Sequence, residues 1–334
     1  MFNKLFYIIF FLFLNASFYI YFDKLKKKIN LYDYPSNLKV HKSKILLGGG
    51  FLLLFNIFFI IFFFIFNFKK IDISIFYTTK SYISFFLIIF FVFFLGYLDD
   101  KKNLSANVRL TILSLVILFA ILLDNDLLIK ELKFSGLNNT IYLQEFSIVF
   151  TILSFLLFMS AFNMFDGINL QAGVYALILL IILLINKVNF YAIAPCIIFL
   201  LLFIFLNYLN KIYLGETGVL ILSYIISYFF IKSYNLAETF YADQIFLFML
   251  FPGLDLIRLF IIRILKLKNP FKGDNNHIHH YLLRYFSTFK TFIIILVSYF
   301  IPILFFLILN NSYISVFLTI ITYSFLIYRY SKKN

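Results

Sequence analysis

The 334-residue chain is written mostly in apolar runs separated by short polar gaps. Eleven such runs stand near 5–22, 46–66, 82–98, 108–123, 146–162, 172–185, 190–206, 217–231, 244–262, 291–309 and 312–328. A helix needs about 20 apolar residues to cross a bilayer core, and most of these runs come close to that length. The pattern predicts an all-α fold: a polytopic transmembrane helix bundle of about 11 spans, held in one membrane-embedded domain over 1–334. The sixth run is short and leaves little room for tilt. In the first, the basic cluster Lys24, Lys26, Lys27 and Lys28 follows the apolar stretch and no small-residue cleavage site is present. That order predicts a retained span and not a signal peptide. Within the ninth run, Pro252-Gly253 predicts a broken helix of the kind that lines a site.

Charge then sets an orientation. Of the 29 Lys and Arg residues, 21 fall in the odd-numbered loops and the C-terminal tail. The positive-inside rule makes that side cytoplasmic, with the N-terminus outside and the C-terminus in the cytoplasm. Only 13% of residues are charged, about half the share of a soluble domain. The net charge of +14 is therefore assigned to loops beside anionic headgroups, and nucleic acid is not among the expected partners. Phe, Ile, Lys, Asn and Tyr are enriched together, which points to an AT-rich genome and not to an aromatic cage. Cys196 is the lone cysteine, which excludes an internal disulfide and a cysteine zinc site.

The polar gaps on the basic side hold the candidate chemistry, in loops near 23–45, 99–107, 163–170, 207–217 and 263–290. All four histidines lie there with Asp23, Asp33, Asp99, Asp100, Asp166, Glu216, Asp255 and Asp274. Asp99-Asp100 ends an apolar run, where two carboxylates face the negative end of a helix dipole and need a compensating cation, either Lys101 and Lys102 or a bound metal. Asn163 and Asp166 share a helical face before Gly167. Leu214-Gly215-Glu216-Thr217-Gly218 opens a span, where glycines let the backbone approach an anion. Asp255 and Arg258 sit in or beside a span at pairing distance, which marks a functional position by default. Asp274 through His277, His279 and His280 forms a loop better suited to phosphate or carbohydrate than to zinc, because its histidines lack a spaced partner ligand. Lys39 and His41 precede Gly48-Gly49-Gly50, a basic loop and hinge fitted to a phosphate-bearing partner. Each motif alone has a plain reading as a helix cap, a turn or a solvated loop.

Their order along the chain is more specific. Asp-Asp, Asn-x-x-Asp-Gly, Gly-Glu-Thr-Gly and Asp-x-x-His-x-His-His on this scaffold resemble the polyprenyl-phosphate N-acetylhexosamine-1-phosphate transferase family, across residues 1 to about 330. The branch most resembled starts O-antigen, enterobacterial common antigen or teichoic acid linkage units. Tyr281 after His279-His280 argues against the sister branch that transfers phospho-MurNAc-pentapeptide. The resemblance implies transfer of HexNAc-1-phosphate from a UDP-sugar to undecaprenyl phosphate, with Mg²⁺ or Mn²⁺, at the cytoplasmic face of a bacterial inner membrane. It gives Asp99 and Asp100 catalytic roles and makes Asn163, Asp166 and Glu216 metal ligands. Substrate contacts would fall to Lys39, His41, Arg109, Asp255, Arg258, Asp274, His277, His279 and His280. A homodimer is compatible with this reading. Glu216 replaces the usual Asp, Val219 a usual Ser, Asn169-Leu170-Gln171 a usual Asp-Gly-Leu, and Asn107 a usual basic residue that Arg109 supplies nearby. These mark a divergent subgroup. A flippase or carrier of lipid-linked sugars would want mid-membrane charges and internal repeats, and neither pattern is visible.

Overall fold

A computed structural model describes residues 4–35, 43–67, 78–270 and 274–331. It is mostly helical. The helices are α1 (Lys4–Ile20), α2 (Phe22–Ile29), α3 (Gly49–Asn67), α4 (Thr79–Lys102), α5 (Ala106–Leu123), α6 (Ser147–Phe165) and α7 (Gln171–Ile185). They continue with α8 (Phe190–Tyr208), α9 (Gly215–Ala237), α10 (Ala242–Leu265), the short α11 (Ile278–Leu282), α12 (Thr288–Leu309) and α13 (Ser312–Tyr330). Every predicted apolar run overlaps one of these helices. Among the described residues, eight helices are long and apolar enough to cross a membrane, and α1 with α2, bent by 74°, would make a ninth. Gly49–Ile65 and Gln171–Ile185 are shorter apolar helices. The protein is a multi-pass membrane protein.

Local sequence explains where the helices start and stop. The side chains of Thr78, Ser105, Asn189, Ser287 and Asn311 accept from the first-turn amides of α4, α5, α8, α12 and α13. Asn103 and Asn310 close α4 and α12 in the left-handed conformation.

The all-α expectation needs one correction. Ile45–Leu47 (β2) pairs antiparallel with Tyr32–Asp33 (β1) and parallel with Ile212–Tyr213 (β3), and a second small hairpin joins Glu131–Leu132 to Ile141–Tyr142. These strands are two or three residues long, too short to leave a period-2 pattern in the sequence.

The helices pack around α9, which is buried continuously from Thr217 to Tyr234. Close approach near its start depends on glycine. A Cβ on Gly50 would lie 2.6 Å from the Gly218 nitrogen, and one on Gly96 2.5 Å from the Thr217 Cα. Gly50 at the α3 start and Gly96 in α4 let these two helices meet α9 backbone to backbone.

The predicted break at Pro252-Gly253 is absent: α10 runs unbroken through both. A proline leaves the carbonyl four residues earlier without its amide partner, which is costly in a membrane interior. Here the Tyr175 hydroxyl on α7 donates to that carbonyl, Phe248 O, at 2.6 Å. The same repair recurs twice. The Tyr7 hydroxyl donates to Tyr191 O, freed by Pro195, at 2.6 Å, and the Thr322 hydroxyl reaches Ser298 O, freed by Pro302, at 3.4 Å. A hydroxyl from a neighbouring helix thus replaces each lost amide, and the helices continue.

Candidate active site

The C-terminus of α4, the α6–α7 turn, the N-terminus of α9 and α11 converge around a cavity of about 840 Å³. Asp99, Asp100, Asn163, Asp166, Glu216, His279 and His280 line it, so seven of the residues singled out from sequence meet in one place.

The lysine route to compensating Asp99-Asp100 is not the one the fold uses. Lys101 and Lys102 are exposed. Asp99 is buried, accepting from the Leu104 amide at 2.7 Å and from Arg109 Nη1 at 3.0 Å. Asp100 reaches across to α9 and accepts from the amides of Glu216 at 2.8 Å and Thr217 at 3.1 Å, and from the Thr217 hydroxyl. The carboxylate therefore sits on the positive end of the α9 dipole, which offsets the negative end of its own helix. Gly215 makes room for it: its φ is +70°, and a Cβ there would stand 2.8 Å from Asp100 Oδ2.

Glu216 carries the extra methylene. Its Oε2 accepts from Asn163 Nδ2 at 2.7 Å and pairs with Arg109 Nη1 at 3.0 Å, so one guanidinium bridges Asp99 and Glu216. The Asp166 carboxylate, by contrast, makes no hydrogen bond or ion pair among the described residues. Burial, and then the charges of Glu216 and Asp100, push its carboxyl up to about 7.

The histidine loop closes the cavity from the far side. A Cβ on Gly167 would fall 2.1 Å from the His279 ring, so the glycine after Asp166 is what admits this imidazole. His279 stacks parallel to His277 at 5.3 Å and lies 4.4 Å from the His280 ring, centroid to centroid. Burial, then His280 and His277, hold the His279 imidazole well below its ordinary pKa, and it is neutral at neutral pH. His280 is lowered in the same sense by burial, His277 and Arg284.

Asp255, Arg258, Asp274, His277 and Arg109 do not line the cavity. Arg258 Nη2 bonds Asp255 Oδ1 at 2.7 Å, and Asp255 Oδ2 lies 3.0 Å from His277 Nδ1. Asp274 meets Arg263 Nε at 3.0 Å; burial raises its carboxyl, but Arg263 and Asn276 outweigh this and leave it below the usual range. These groups tie the histidine loop to α10. Lys39 and His41 lie outside the described residues.

The cavity also has a neutral wall, built from the 163–170 and 207–217 loops, to which sequence reasoning assigned no role residue by residue. Asn169 Nδ2 donates to Asn207 O at 2.9 Å and to Asn210 Oδ1 at 2.7 Å, and Asn207 Oδ1 accepts from the Leu170 amide at 2.6 Å. Tyr208, Tyr213, Phe289 and Phe292 stand beside them. Asn207, Asn210 and Lys211 at a span end are also what an ordinary turn contains, so the sequence alone does not single them out.

Known proteins share part of this sequence. The model of glycosyl transferase family 4 matches residues 82–234, which includes Asp99, Asp100, Asn163, Asp166 and Glu216. An undecaprenyl-phosphate alpha-N-acetylglucosaminyl 1-phosphate transferase of Escherichia coli O157:H7 is 25% identical over 299 residues, covering 85% of this chain and 78% of that protein. The protein of the same name from Thermotoga maritima is 28% identical over 222 residues, 64% of this chain and 66% of its own. Identity is low, as expected of a divergent branch; segment 82–234 is similar to glycosyl transferase family 4, and the match together with the relatives supports a phospho-sugar transferase.

Proposed function

We propose that the enzyme transfers a HexNAc 1-phosphate from a UDP-sugar to undecaprenyl phosphate, releasing UMP, at the cytoplasmic face of a bacterial inner membrane. The observation that carries the proposal is the gathering of Asp99, Asp100, Asp166 and Glu216 with Arg109 and two histidines at one end of the bundle, around a cavity of about 840 Å³. The names of the relatives support the acceptor and the sugar class.

In the reaction an oxygen of the lipid phosphate bonds to the β-phosphorus of the UDP-sugar. The bond from that phosphorus to the oxygen bridging it to the α-phosphate breaks, and UMP leaves with the electron pair. Such transfer needs positioning and charge neutralisation more than covalent chemistry. The oxygen donors present fit Mg²⁺, which is commonly held by one or two carboxylates and the substrate phosphates. The Asp166 carboxylate, unpartnered among the described residues, is raised to about 7 by burial and then by the charges of Glu216 and Asp100, a condition that a cation relieves. Among the described residues no three His, Cys, Asp or Glu groups form a ready cage, so substrate oxygens would complete the shell. Asp166, Glu216 and the Asn163 carbonyl oxygen would hold the ion, which would neutralise charge on the diphosphate when bound. Asp100 keeps the α9 N-terminus fixed against the cavity, and Arg109 orients Glu216. Neutral His279 and His280 face the substrate as hydrogen-bond partners.

Purified enzyme given undecaprenyl phosphate, Mg²⁺ and a panel of UDP-HexNAc donors should release UMP with at least one donor, and stop on chelation. Glu216→Gln should lower the rate by roughly a hundredfold. Mg²⁺ should raise the melting temperature of the parent and leave Asp166→Asn unmoved. Lipid movement without UMP would return the protein to the carrier class.

A further inference from the structure

The last helix takes part in the site without touching it. Tyr323, buried on α13, donates its hydroxyl to Asp255 Oδ1 at 2.7 Å and accepts from Arg258 Nε at 2.7 Å. It thereby holds both members of the α10 ion pair. Asp255 has one oxygen left, and that oxygen meets His277 Nδ1. An Nδ1–H donating there fixes the tautomer and plane of the ring, as carboxylates do for histidines that ligate metals. His277 then lies parallel against His279, which lines the cavity over Gly167. Arg258 also donates from Nη2 to Asn276 O at 2.6 Å, anchoring the backbone just before His277. The chain of contacts runs from Tyr323 through Asp255 and Arg258 to His277 and His279.

Nothing about Tyr323 stands out in the sequence. Its run, 312–328, reads as an ordinary final span, and its neighbours Ile321, Phe325 and Tyr328 are exposed to the surroundings of the bundle. The hydroxyl is the feature that matters. The ring packs edge-on against Phe251 at 5.6 Å, a contact that phenylalanine would keep. A phenol serving only to fill space would not need to both donate and accept within the same ion pair.

We infer that Tyr323 is a positioning residue: its hydroxyl orders the Asp255–Arg258 pair so that His277 and His279 present a fixed face to the substrate. The kinetic part of this inference rests on the proposed function; the structural part does not. Removing the hydroxyl leaves Asp255 with one partner fewer and frees the guanidinium to rotate. His277 then loses its fixed acceptor, and the loop must be ordered by substrate at the expense of binding. Turnover, carried by groups on α4, α6 and α9, is affected less.

The test uses Tyr323→Phe in the full-length protein. Without any substrate, His277 should react with diethyl pyrocarbonate about fivefold faster than in the parent, read by mass spectrometry of the peptide. In the UMP-release assay the donor KM should rise roughly tenfold while kcat stays within about twofold. In a His277→Ala background the same change should add little, because residues acting through one another are not additive. Unchanged His277 reactivity overturns the inference whatever the activity is. Additive KM penalties also overturn it, because Tyr323 would then act by another route. If Tyr323→Phe is not monodisperse after purification, Asp255→Asn cuts the same link one residue nearer, and unchanged His277 reactivity there is equally fatal.

Discussion

The two ends of α9 hold similar residue types and treat them in opposite ways. At its C-terminal end the Lys232 ammonium, fully buried, bonds Asp124 at 2.9 Å and Asp126 at 3.0 Å. Tyr228 donates to the other oxygen of Asp124, and Asn235 donates to the carbonyls of Asp126 and Leu128. The Tyr234 hydroxyl donates to Glu131 O and accepts from the Lys133 amide. Each of these groups is matched, and the segment from Asp124 to Lys133 is bound onto the helix. At the N-terminal end Arg109 serves two carboxylates, the Asp166 side chain has no partner among the described residues, and a large cavity opens beside them. A buried charge in a low-dielectric interior is tolerable when paired. The closed end meets that condition from within the protein; at the open end the Asp166 carboxylate is left for the ligand proposed above to meet. The lesson is that unmet polar demand, more than the presence of charge, separates a site from a structural lock.

The largest expected effect breaks the closed end. Lys232→Ala leaves Asp124 buried without its cation, a loss of about 3–5 kcal/mol. The protein should show strongly reduced folded yield and melting temperature, while any folded fraction keeps its metal response. Normal stability would mean the ammonium is not needed to hold the 124–133 segment.

The open end should respond in the other direction. Folded Asp166 has its carboxyl raised from 3.8 to about 7, so the folded state binds more protons than the unfolded state between those values. Stability of the metal-free protein therefore falls as pH rises through that window, and the penalty persists above it. Asp166→Asn removes this dependence. It should melt higher than the parent at pH 8 in EDTA and show no gain near pH 4, in parallel thermal scans. A mutant that is less stable at pH 8 would show that Asp166 has a structural partner.

The smallest effects concern the helix repairs, which lie away from either end. Tyr175→Phe strips the hydroxyl from the Phe248 carbonyl and should cost about 1–3 kcal/mol, the desolvation penalty of a buried acceptor. Thr322→Val removes a longer contact, 3.4 Å, and should cost less. Equal melting temperatures for both variants and the parent would leave the continuity of α10 and α12 through proline without this explanation.

Much of this was legible along the chain. The helices follow from apolar run length, because a membrane interior requires every backbone group to bond within its own helix. The site end followed from Asp99-Asp100, Asn163, Asp166, Glu216 and the histidine loop, since short polar gaps between spans have few places to go. The motif order then carried the family. What remained hidden depended on partners distant in sequence. The continuity of α10 through Pro252 rests on Tyr175, 77 positions away on α7. The cation for Asp99 is Arg109, not the adjacent lysines, because α5 turns its basic side chain back toward the α4 terminus. Asp100 caps α9 because Gly96 and Gly50 bring three helices within backbone contact. Tyr323 enters through the packing of α13 on α10, which no local pattern encodes. Sequence by itself determined where the chain is helical and which groups carry charge, since both are set by local hydrogen bonding and side-chain identity. Tertiary structure alone decided which of those charges are satisfied, because that depends on which groups long-range packing brings within about 3 Å of one another.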